Sequence, residues 1–297
     1  MQYMLGLLVP LVLLAGVAAA SDGVNEISQA GVTAAGGFPF VITTSGSYVL
    51  TSNLTVPDAN TTAVDVQVDG VTVDLNGFTI RGPVVCTGDA LTATTCSIFG
   101  LGNGIQSTAA NVTVRNGIIR GLGNNGIDLT GDGTRVDTVI AVSNGQRGIS
   151  VGPTAMVEGC MAIRNGTNGF GLGRNSAITQ SVAVTNGSTG IVTSFGAEVS
   201  RNSSIFNGGG ISASRGSVIA DNAVSRNRGT GIFCTAGCLV NGNNIRGNGN
   251  VGLSLQSTSG YTNNVIVDHD VRPVQGGVYL SPNVCDNTVA STVCDPP

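Results

Sequence analysis

The chain has 297 residues, of which 45 are glycine and only 10% are charged, and its formal net charge at pH 7 is −4. An apolar content of 41% is too high for an intrinsically disordered chain. The mild negative charge excludes the basic surface by which proteins bind nucleic acid, so we expect no nucleic-acid partner.

Residues 1–20 have the pattern of a signal peptide. An apolar run at 4–17 is followed by small residues, which predicts cleavage between Ala20 and Ser21. An uncleaved membrane anchor is the alternative, but the run is short for a bilayer span and contains Pro10. We therefore expect a secreted or periplasmic protein with no membrane span after signal cleavage.

Part of the segment at 46–83 recurs further along the chain. GVTVDLNGFTIRG at 70–82 aligns with NVTVRNGIIRG at 111–121, offset by 41 residues at the start and 39 at the end. This offset equals one repeat of 20 to 22 residues plus an insertion of about the same length. We place the insertion at residues 83–100 and expect a Cys86–Cys96 disulfide to close it. The insertion is either the wall of a groove or a surface excursion without a role.

A period of 20 to 22 residues runs through the centre of the chain. A glycine precedes an apolar residue at Gly104, Gly126, Gly148, Gly169, Gly190, Gly210, Gly231 and Gly252. Asparagine keeps the same interval at Asn144, Asn165, Asn186, Asn207, Asn227 and Asn248. Two apolar columns also keep it, at Val136, Val157, Ile178, Val199, Ile219 and Val240 and at Val142, Ile163, Val184 and Ile205. Internal repetition of this kind indicates a solenoid.

Each repeat is predicted to be one coil of short strands and tight turns. Apolar residues alternate within a repeat, as in Ile149 and Val151, and this is the period of a β-strand. The intervening Gly and Asn residues tolerate positive φ at turns. Stacked coils would pair in parallel about 4.8 Å apart, so that like residues lie above one another. We expect the apolar columns to form the core and the asparagines to form an amide ladder at one turn.

A period of 21–22 residues with irregular turns resembles the right-handed parallel β-helix of the pectate-lyase-like superfamily. The resemblance covers residues 46–265, and the segment at 46–83 also resembles the opening coils of exported bacterial proteins of this fold. It implies an all-β, right-handed parallel β-helix with about 21–22 residues per coil. It implies no single activity, because this fold hosts many functions.

Both ends of a solenoid expose strand edges and core, so we expect an N-terminal cap at 21–45 and a C-terminal cap at 266–297. The remaining cysteines suggest two further local disulfides in an oxidising compartment, Cys234–Cys238 and Cys285–Cys294. Cys160 is left over, and its column indicates a buried, inert thiol at a corner where a strand enters a turn.

Three charged residues form the candidate catalytic cluster. Asp137 and Glu158 each follow a residue of the first apolar column, so both should point outward from successive coils, with Arg135 on the same face. Two adjacent carboxylates repel each other, which raises a pKa or attracts a cation. The resemblance implies that lyases of this fold use carboxylates, often with Ca²⁺, and an Arg or Lys base. We expect Ca²⁺ only under that interpretation, and otherwise no cofactor and no metal site. The alternative is a solvated surface.

Further positions face outward or stand apart from the repeat. An outward column forms a polar strip that could accept sugar hydroxyls or be an ordinary solvated face: Gln106, Asp128, Ser150, Gly171, Val192 and Ser212. His269 has a slight likeness to the acid-flanked histidine of alginate epimerases, but it lies past the last clear repeat, so we expect a solvated terminal loop. Phe170 and Phe233 are expected to fill the core.

The sequence thus favours an exported scaffold or binding protein that faces envelope or extracellular polysaccharide. One alternative is a polysaccharide lyase, hydrolase or epimerase, for which the absence of Trp and the low number of Tyr leave few stacking subsites. The other is an adhesin or appendage component. The sequence does not determine the oligomeric state.

Overall fold

The computed structural model describes residues 23–286 and Cys294, so the predicted signal peptide and its cleavage site at Ala20 and Ser21 lie outside the described residues. In chain order the elements are β1 (Val24–Ile27), α1 (Gln29–Ala34), β2 (Phe40–Ile42), β3 (Gly46–Leu50), β4 (Leu54–Thr55), β5 (Val64–Val66), β6 (Val71–Asp74), β7 (Thr79–Arg81), β8 (Cys86–Thr87), β9 (Thr95–Cys96), β10 (Ile105–Ser107), β11 (Thr113–Arg120), β12 (Ile127–Leu129), β13 (Arg135–Val142), β14 (Ile149–Val151), β15 (Met156–Glu158), β16 (Met161–Ile163), β17 (Phe170–Leu172), β18 (Ala177–Thr179), β19 (Val182–Val184), β20 (Thr189–Thr193), β21 (Glu198–Ser200), β22 (Ser203–Ile205), β23 (Gly209–Ala213), β24 (Val218–Ala220), β25 (Ala223–Ser225), β26 (Ile232–Cys234), β27 (Leu239–Asn241), β28 (Asn244–Arg246), β29 (Val251–Leu255), β30 (Gly260–Thr262), β31 (Val265–Val267), β32 (Arg272–Gln275), β33 (Val278–Tyr279) and β34 (Val284–Asp286).

The strands stack in parallel, coil upon coil. Eleven of them form one sheet: β2, β5, β10, β12, β14, β17, β20, β23, β26, β29 and β32. A second sheet has 21 strands because most coils contribute two to it, as with β15 and β16. The chain is therefore a right-handed parallel β-helix, and the predicted fold is confirmed.

One coil shows how the chain returns to its starting point. Strand β14 belongs to the 11-stranded sheet and leads into the first turn, residues 152–155. Strand β15 follows, then a corner at 159–160, strand β16, and the second turn at 164–169. The same order of strand, first turn, strand, corner, strand and second turn recurs along the helix, so each position in a coil has its own residue type.

Only one of the two predicted apolar columns lies in the core. Val136, Val157 and Ile178 are in register and fully buried. The other column is in register but half-buried on the outer face, so its predicted core position is wrong; it comprises Val142, Ile163, Val184 and Ile205. Alanines take the inward positions instead, at 141, 162 and 183.

The corner and the narrow interior explain this reversal. Thr138 has a φ of 53°, which interrupts the alternation, so the inward positions are set anew after the corner. The interior is narrow beside the second turn, because a Cβ on Gly148 would lie 3.0 Å from the Cβ of Ala162. Only a small inward side chain fits there, which puts the larger Val and Ile residues on the outside.

The predicted asparagine ladder lies at the second turn and is buried. In its middle, Oδ1 of Asn186 accepts hydrogen bonds from the backbone N–H and the side-chain amide of Asn165, each at 3.0 Å. Its Nδ2 donates to the carbonyl of Ala162 and to Oδ1 of Asn207, each at 2.9 Å. The ladder explains why glycine recurs in the glycine column, because the asparagine amides leave no room for a side chain there. A Cβ on Gly169 would lie 2.8 Å from Nδ2 of Asn186.

His269 continues this ladder, so the expectation of a solvated histidine is wrong. The side chain is 1% exposed and occupies the position of the next asparagine. Its Nδ1 accepts from the backbone N–H of Asn248 at 3.2 Å, and its Nε2 lies 3.1 Å from the carbonyl of Ile245. The two bonds imply the neutral tautomer that carries its proton on Nε2. Desolvation in this buried position lowers the pKa of His269.

A second ladder lies at the corner, and Cys160 is at its N-terminal end. The backbone N–H of Cys160 donates to Oγ of Ser181 at 3.2 Å, and the backbone N–H of Ser181 donates to Oδ1 of Asn202 at 3.0 Å. Cys160 is a free cysteine with no exposed surface, and burial raises the pKa of its thiol to about 12. The expectation of a buried thiol is confirmed, and its inertness stays a prediction that burial favours.

The parallel ladder extends beyond both predicted limits, residues 46 and 265. Strand β1 already pairs with β3, and β2 pairs with β5, while α1 buries Val32 against the core. At the other end β32, β33 and β34 continue the two sheets as far as Asp286. The terminal coils lack the Gly and Asn columns, but backbone pairing does not need those residues, so the repeat pattern underestimates the length of the helix.

The insertion at 83–100 forms an antiparallel hairpin of β8 and β9, closed by the Cys86–Cys96 disulfide. Hydrogen bonds tie it to the second turns of several coils: Nε of Arg164 donates to the carbonyl of Gly88 at 3.1 Å, and Thr94 donates to the carbonyl of Thr185. Cysteine pairs 234–238 and 285–294 are joined as well. The insertion therefore lies across the second turns, which form a ridge that borders the 11-stranded sheet.

Candidate functional site

The structure brings the three residues of the predicted catalytic cluster together. Asp137 and Glu158 are register partners on β13 and β15, and all three side chains lie on the outer face. Arg135 lies between the carboxylates: its Nη2 is 2.8 Å from Oε2 of Glu158 and 3.8 Å from Oδ2 of Asp137. Thr138 also donates to Oδ1 of Asp137 at 2.8 Å.

This arrangement offsets the repulsion that the sequence predicts. The arginine contacts both carboxylates and its side chain is 43% exposed, as expected of an ion-pair network on a solvated surface. The insertion at 83–100 contacts the second turns, and the third strand of each coil separates those turns from Asp137 and Glu158. A catalytic role for the cluster stays a prediction.

From β5 to β32 the outward residues of the 11-stranded sheet form a single row, which we call the outer row. Its members stand in register from coil to coil: Asp65, Gln106, Asp128, Ser150, Gly171, Val192, Ser212, Phe233, Ser254 and Gln275. Nine steps of about 4.8 Å give the row a length of about 43 Å. Six of these residues belong to the polar strip that the sequence predicts.

Three clefts follow one another along the outer row. The first has a volume of about 520 Å³ and is lined by Asp65, Val66, Gln67, Gln106, Ser107, Thr108, Asp128 and Thr130. The second, of about 330 Å³, extends from Arg147 to Ser194, and the third, of about 360 Å³, extends from Ser188 to Phe233. The outer row is therefore the floor of a shallow, elongated groove.

The first cleft holds two carboxylates in different environments. Asp65 is held by amides, with Oδ1 accepting from Gln106 at 3.1 Å and Oδ2 accepting from Gln67 at 2.7 Å. Oε1 of Gln106 is in turn 3.0 Å from Nδ2 of Asn103. The carboxylate of Asp128 has no hydrogen-bond partner within the part of the chain that the structure describes. The two backbones are two coils apart, about 10 Å.

Arg147 is the cation nearest the middle of the groove. Its Nη1 donates to Oγ of Ser150 at 3.3 Å, and its side chain covers Gly171, where an added Cβ would lie 3.4 Å from the guanidinium. The arginine therefore separates the acidic end of the groove from the remainder.

Sequence reasoning missed Asp65 and misplaced Phe233. Asp65 belongs to the coil before the insertion, where the 41-residue offset obscures the repeat, although the alternation in Val64-Asp65-Val66 was a usable signal. Phe170 is buried as expected, but Phe233 is on the outer row and 38% exposed, so its predicted core position is wrong. In each coil that carries the glycine column, a glycine precedes an inward apolar residue, and the residue after that apolar residue faces outward. Phe233 follows Ile232 in this way and therefore faces outward.

Two further observations concern metals and membranes. Between Gly23 and Asp286, and at Cys294, no three His, Cys, Asp or Glu side chains come together in a way that could hold a metal ion. In the same residues no helix is long and apolar enough to span a bilayer.

No protein-family model and no curated protein matches the sequence. Solved structures of similar fold include the A-module of the Azotobacter vinelandii mannuronan C-5 epimerase AlgE6, with a TM-score of 0.57 and 15% identity over 93% of this chain and 89% of that one. The periplasmic alginate epimerase AlgG has a TM-score of 0.54 and 12% identity over 90% and 79%.

The Dettilon tailspike protein (gp208) has a TM-score of 0.54 and 14% identity over 89% of this chain, which spans 60% of the tailspike's length. At identities this low the likeness shows the fold alone. The chain is thus a right-handed parallel β-helix repeat protein, with a groove along the outer face of its 11-stranded sheet.

Proposed function

We propose that this protein binds an extended polysaccharide along the outer row, outside the cytoplasm. The observation that carries the proposal is the succession of three clefts in one line, lined mainly by hydroxyl, amide and glycine positions. Hydroxyls, amides and exposed backbone supply the donors and acceptors that sugar hydroxyls need. The three clefts follow the outer row from Asp65 to Phe233, which is seven steps of about 4.8 Å or about 34 Å, and a linear groove of this length suits a polymer better than a small molecule.

The comparisons support the choice of polymer. Two of the similar structures are named epimerases of mannuronan or alginate. A further similar structure, with a TM-score of 0.51 and 14% identity over 83% of this chain and 56% of that one, is the D339N mutant of the tailspike protein of E. coli bacteriophage HK620 in complex with a pentasaccharide. Three disulfides are typical of proteins that function in an oxidising compartment. Together these features favour a secreted or periplasmic protein that faces polysaccharide.

Blocking the groove is expected to weaken binding by about tenfold or more without disturbing the fold. Gly171 is on the outer row and its φ is not in the left-handed region, so Gly171→Trp can project its indole into the middle cleft. We expect Gly171→Trp to lower affinity for a bound polysaccharide by about tenfold or more, equivalent to at least about 1.4 kcal/mol. Isothermal titration after a glycan-array screen measures the effect.

The matched control is Ala223→Trp, which adds the same side chain on the exposed outer face of the 21-stranded sheet. It should bind like the unmodified protein. Equal losses in both variants, or unchanged binding by Gly171→Trp, would contradict a groove along the outer row.

The two carboxylates of the first cleft favour a second candidate function, glycoside hydrolysis with inversion. Inverting enzymes use two carboxyl groups about 6.5–9.5 Å apart, one as acid and one as base. Asp65 and Asp128 stand two coils apart, and the distance of about 10 Å between their backbones is close to the upper end of that range. Two amides donate to the carboxylate of Asp65, whereas no group in the described part of the chain donates to that of Asp128, so the two carboxyl groups have different surroundings, as two different roles would require.

A reducing-end assay over neutral and uronate polymers, with and without Ca²⁺, tests this second function. If the protein is a hydrolase, Asp65→Asn and Asp128→Asn should each lower kcat by about 100-fold or more. The double variant Asp137→Asn/Glu158→Gln is the comparison, since it removes the cluster predicted from the sequence. Loss of activity in that double variant alone would instead make Asp137, Glu158 and Arg135 the catalytic site.

A further inference from the structure

The distribution of charge along the groove is uneven. Two carboxylates lie at one end of the outer row, at Asp65 and Asp128, and Arg147 lies beside its middle. From Gly171 to Ser254 the outer row carries no ionisable side chain. The groove therefore changes from an acidic first cleft to a neutral third cleft.

The third cleft combines an exposed aromatic ring with bare backbone. It is lined by Ser188, Thr189, Gly208, Gly209, Gly210, Ile211, Ser212, Thr230 and Phe233, none of which is charged. The ring of Phe233 is 38% exposed, and serines at 212 and 254 are its register partners on the two adjacent coils. Three consecutive glycines leave the edge of the cleft without side chains.

An exposed phenylalanine on a strand has an uncovered apolar surface that a ligand can bury. The flanking serine and threonine hydroxyls can hydrogen-bond the equatorial groups of a sugar whose apolar face rests on the ring. Arg228, in the second turn that leads into the strand of Phe233, donates to the carbonyls of Thr92, Phe206 and Gly187, so its guanidinium is engaged in holding the insertion.

We propose that the third cleft is a subsite for an uncharged sugar unit, with Phe233 as its stacking ring, and that the polymer bound in the groove is neutral. This inference rests on the proposed function. A polyuronate would pass Asp65 and Asp128, whose carboxylates repel it, and would find no cation in the third cleft to compensate. The charge pattern thus favours neutral glycans over the uronate polymers named for the similar epimerases.

Titration of the protein with neutral oligosaccharides (cello-, xylo- and manno-oligomers) and with oligogalacturonate and oligomannuronate tests the inference. We expect at least one neutral series to bind and Phe233→Ala to weaken that binding about three- to tenfold, the range of one aromatic contact. Phe233→Tyr keeps the ring and should bind as before. Leu239→Ala removes an equally exposed apolar side chain from the other sheet and should have no effect.

The outcomes separate this inference from the proposed function. Binding that Gly171→Trp weakens but Phe233→Ala leaves unchanged would overturn the subsite and leave the groove in place. Tight binding of uronates alone would overturn the neutral-glycan assignment while polysaccharide binding stands. Absence of binding to every glycan would overturn the proposed function and the inference together.

Discussion

Replacing Asn186 by alanine is expected to lower the free energy of unfolding by about 3–5 kcal/mol. Its side chain accepts two hydrogen bonds from Asn165 and donates one each to Ala162 and Asn207, all within a fully buried ladder. The substitution leaves at least the backbone N–H of Asn165 and the carbonyl of Ala162 without partners where water does not reach. Each such buried group costs about 1–3 kcal/mol.

Urea denaturation monitored by circular dichroism measures this loss. Asn250→Ala serves as the control, because Asn250 is exposed and lies outside the ladder, so its replacement should change stability by less than about 0.5 kcal/mol. A loss below about 1 kcal/mol in Asn186→Ala would mean that the ladder is a by-product of coil stacking and contributes little to stability.

The same ladder shows why so much of the fold could be predicted from the sequence. In a stacked solenoid each residue type recurs at a fixed position in the coil, and the amide of Asn186 occupies the space that a Cβ on Gly169 would need. Asn and Gly therefore repeat together, and their common period reports the coil length. Val136 and Val157 likewise pair in the predicted register.

The missed features arise where local backbone geometry interrupts the repeat. The left-handed conformation of Thr138 cannot be read from its residue type, and it turns Val142 outward and Ala141 inward. The insertion hides the coil that carries Asp65, and its path along the second turns depends on contacts with Arg164 far along the chain.

The candidate site was only partly predictable for a related reason. The sequence identifies which residues face outward, so the polar strip and the pairing of Asp137 with Glu158 follow from the period alone. Whether a groove forms depends instead on how far the turns project beyond the sheet on either side. The spacing of residues in the sequence does not give this distance. The clefts over Asp128 and Phe233 therefore appear only in three dimensions.

The second prediction with a large expected effect concerns acidification. His269 takes the next position in the ladder after Asn248 and accepts its backbone N–H on Nδ1. A proton on Nδ1 would place two donors face to face in a site that is 1% exposed. Burial therefore lowers the pKa of His269, although the charges of Asp268 and Asp270 partly oppose this.

The sign of the pH dependence follows from this direction. An unfolded histidine titrates near pH 6.5, so the contribution of neutral His269 to stability is complete above that pH. As the pH falls below about 6.5 the unfolded chain binds a proton that the folded chain resists. Stability is then lost progressively until the pH reaches the lowered pKa of the folded state.

His269→Asn is expected to remove this loss. Asparagine at this position can accept from Asn248 through Oδ1 and donate to the carbonyl of Ile245 through Nδ2, as Asn186 does to Ala162 24 residues before it. The melting temperature of the unmodified protein should therefore fall between about pH 6.5 and pH 5.5, and that of His269→Asn should stay nearly constant across this interval. The carboxylates are common to both proteins, so the difference between the two curves isolates the histidine.

Because the chain has one histidine, its titration can also be followed directly by NMR of the imidazole protons. A midpoint below 6.5 in the folded protein, together with the flat curve of His269→Asn, is the expected result. A midpoint at or above 6.5, or equal acid sensitivity in the two proteins, would show that the ladder accepts a charged imidazole.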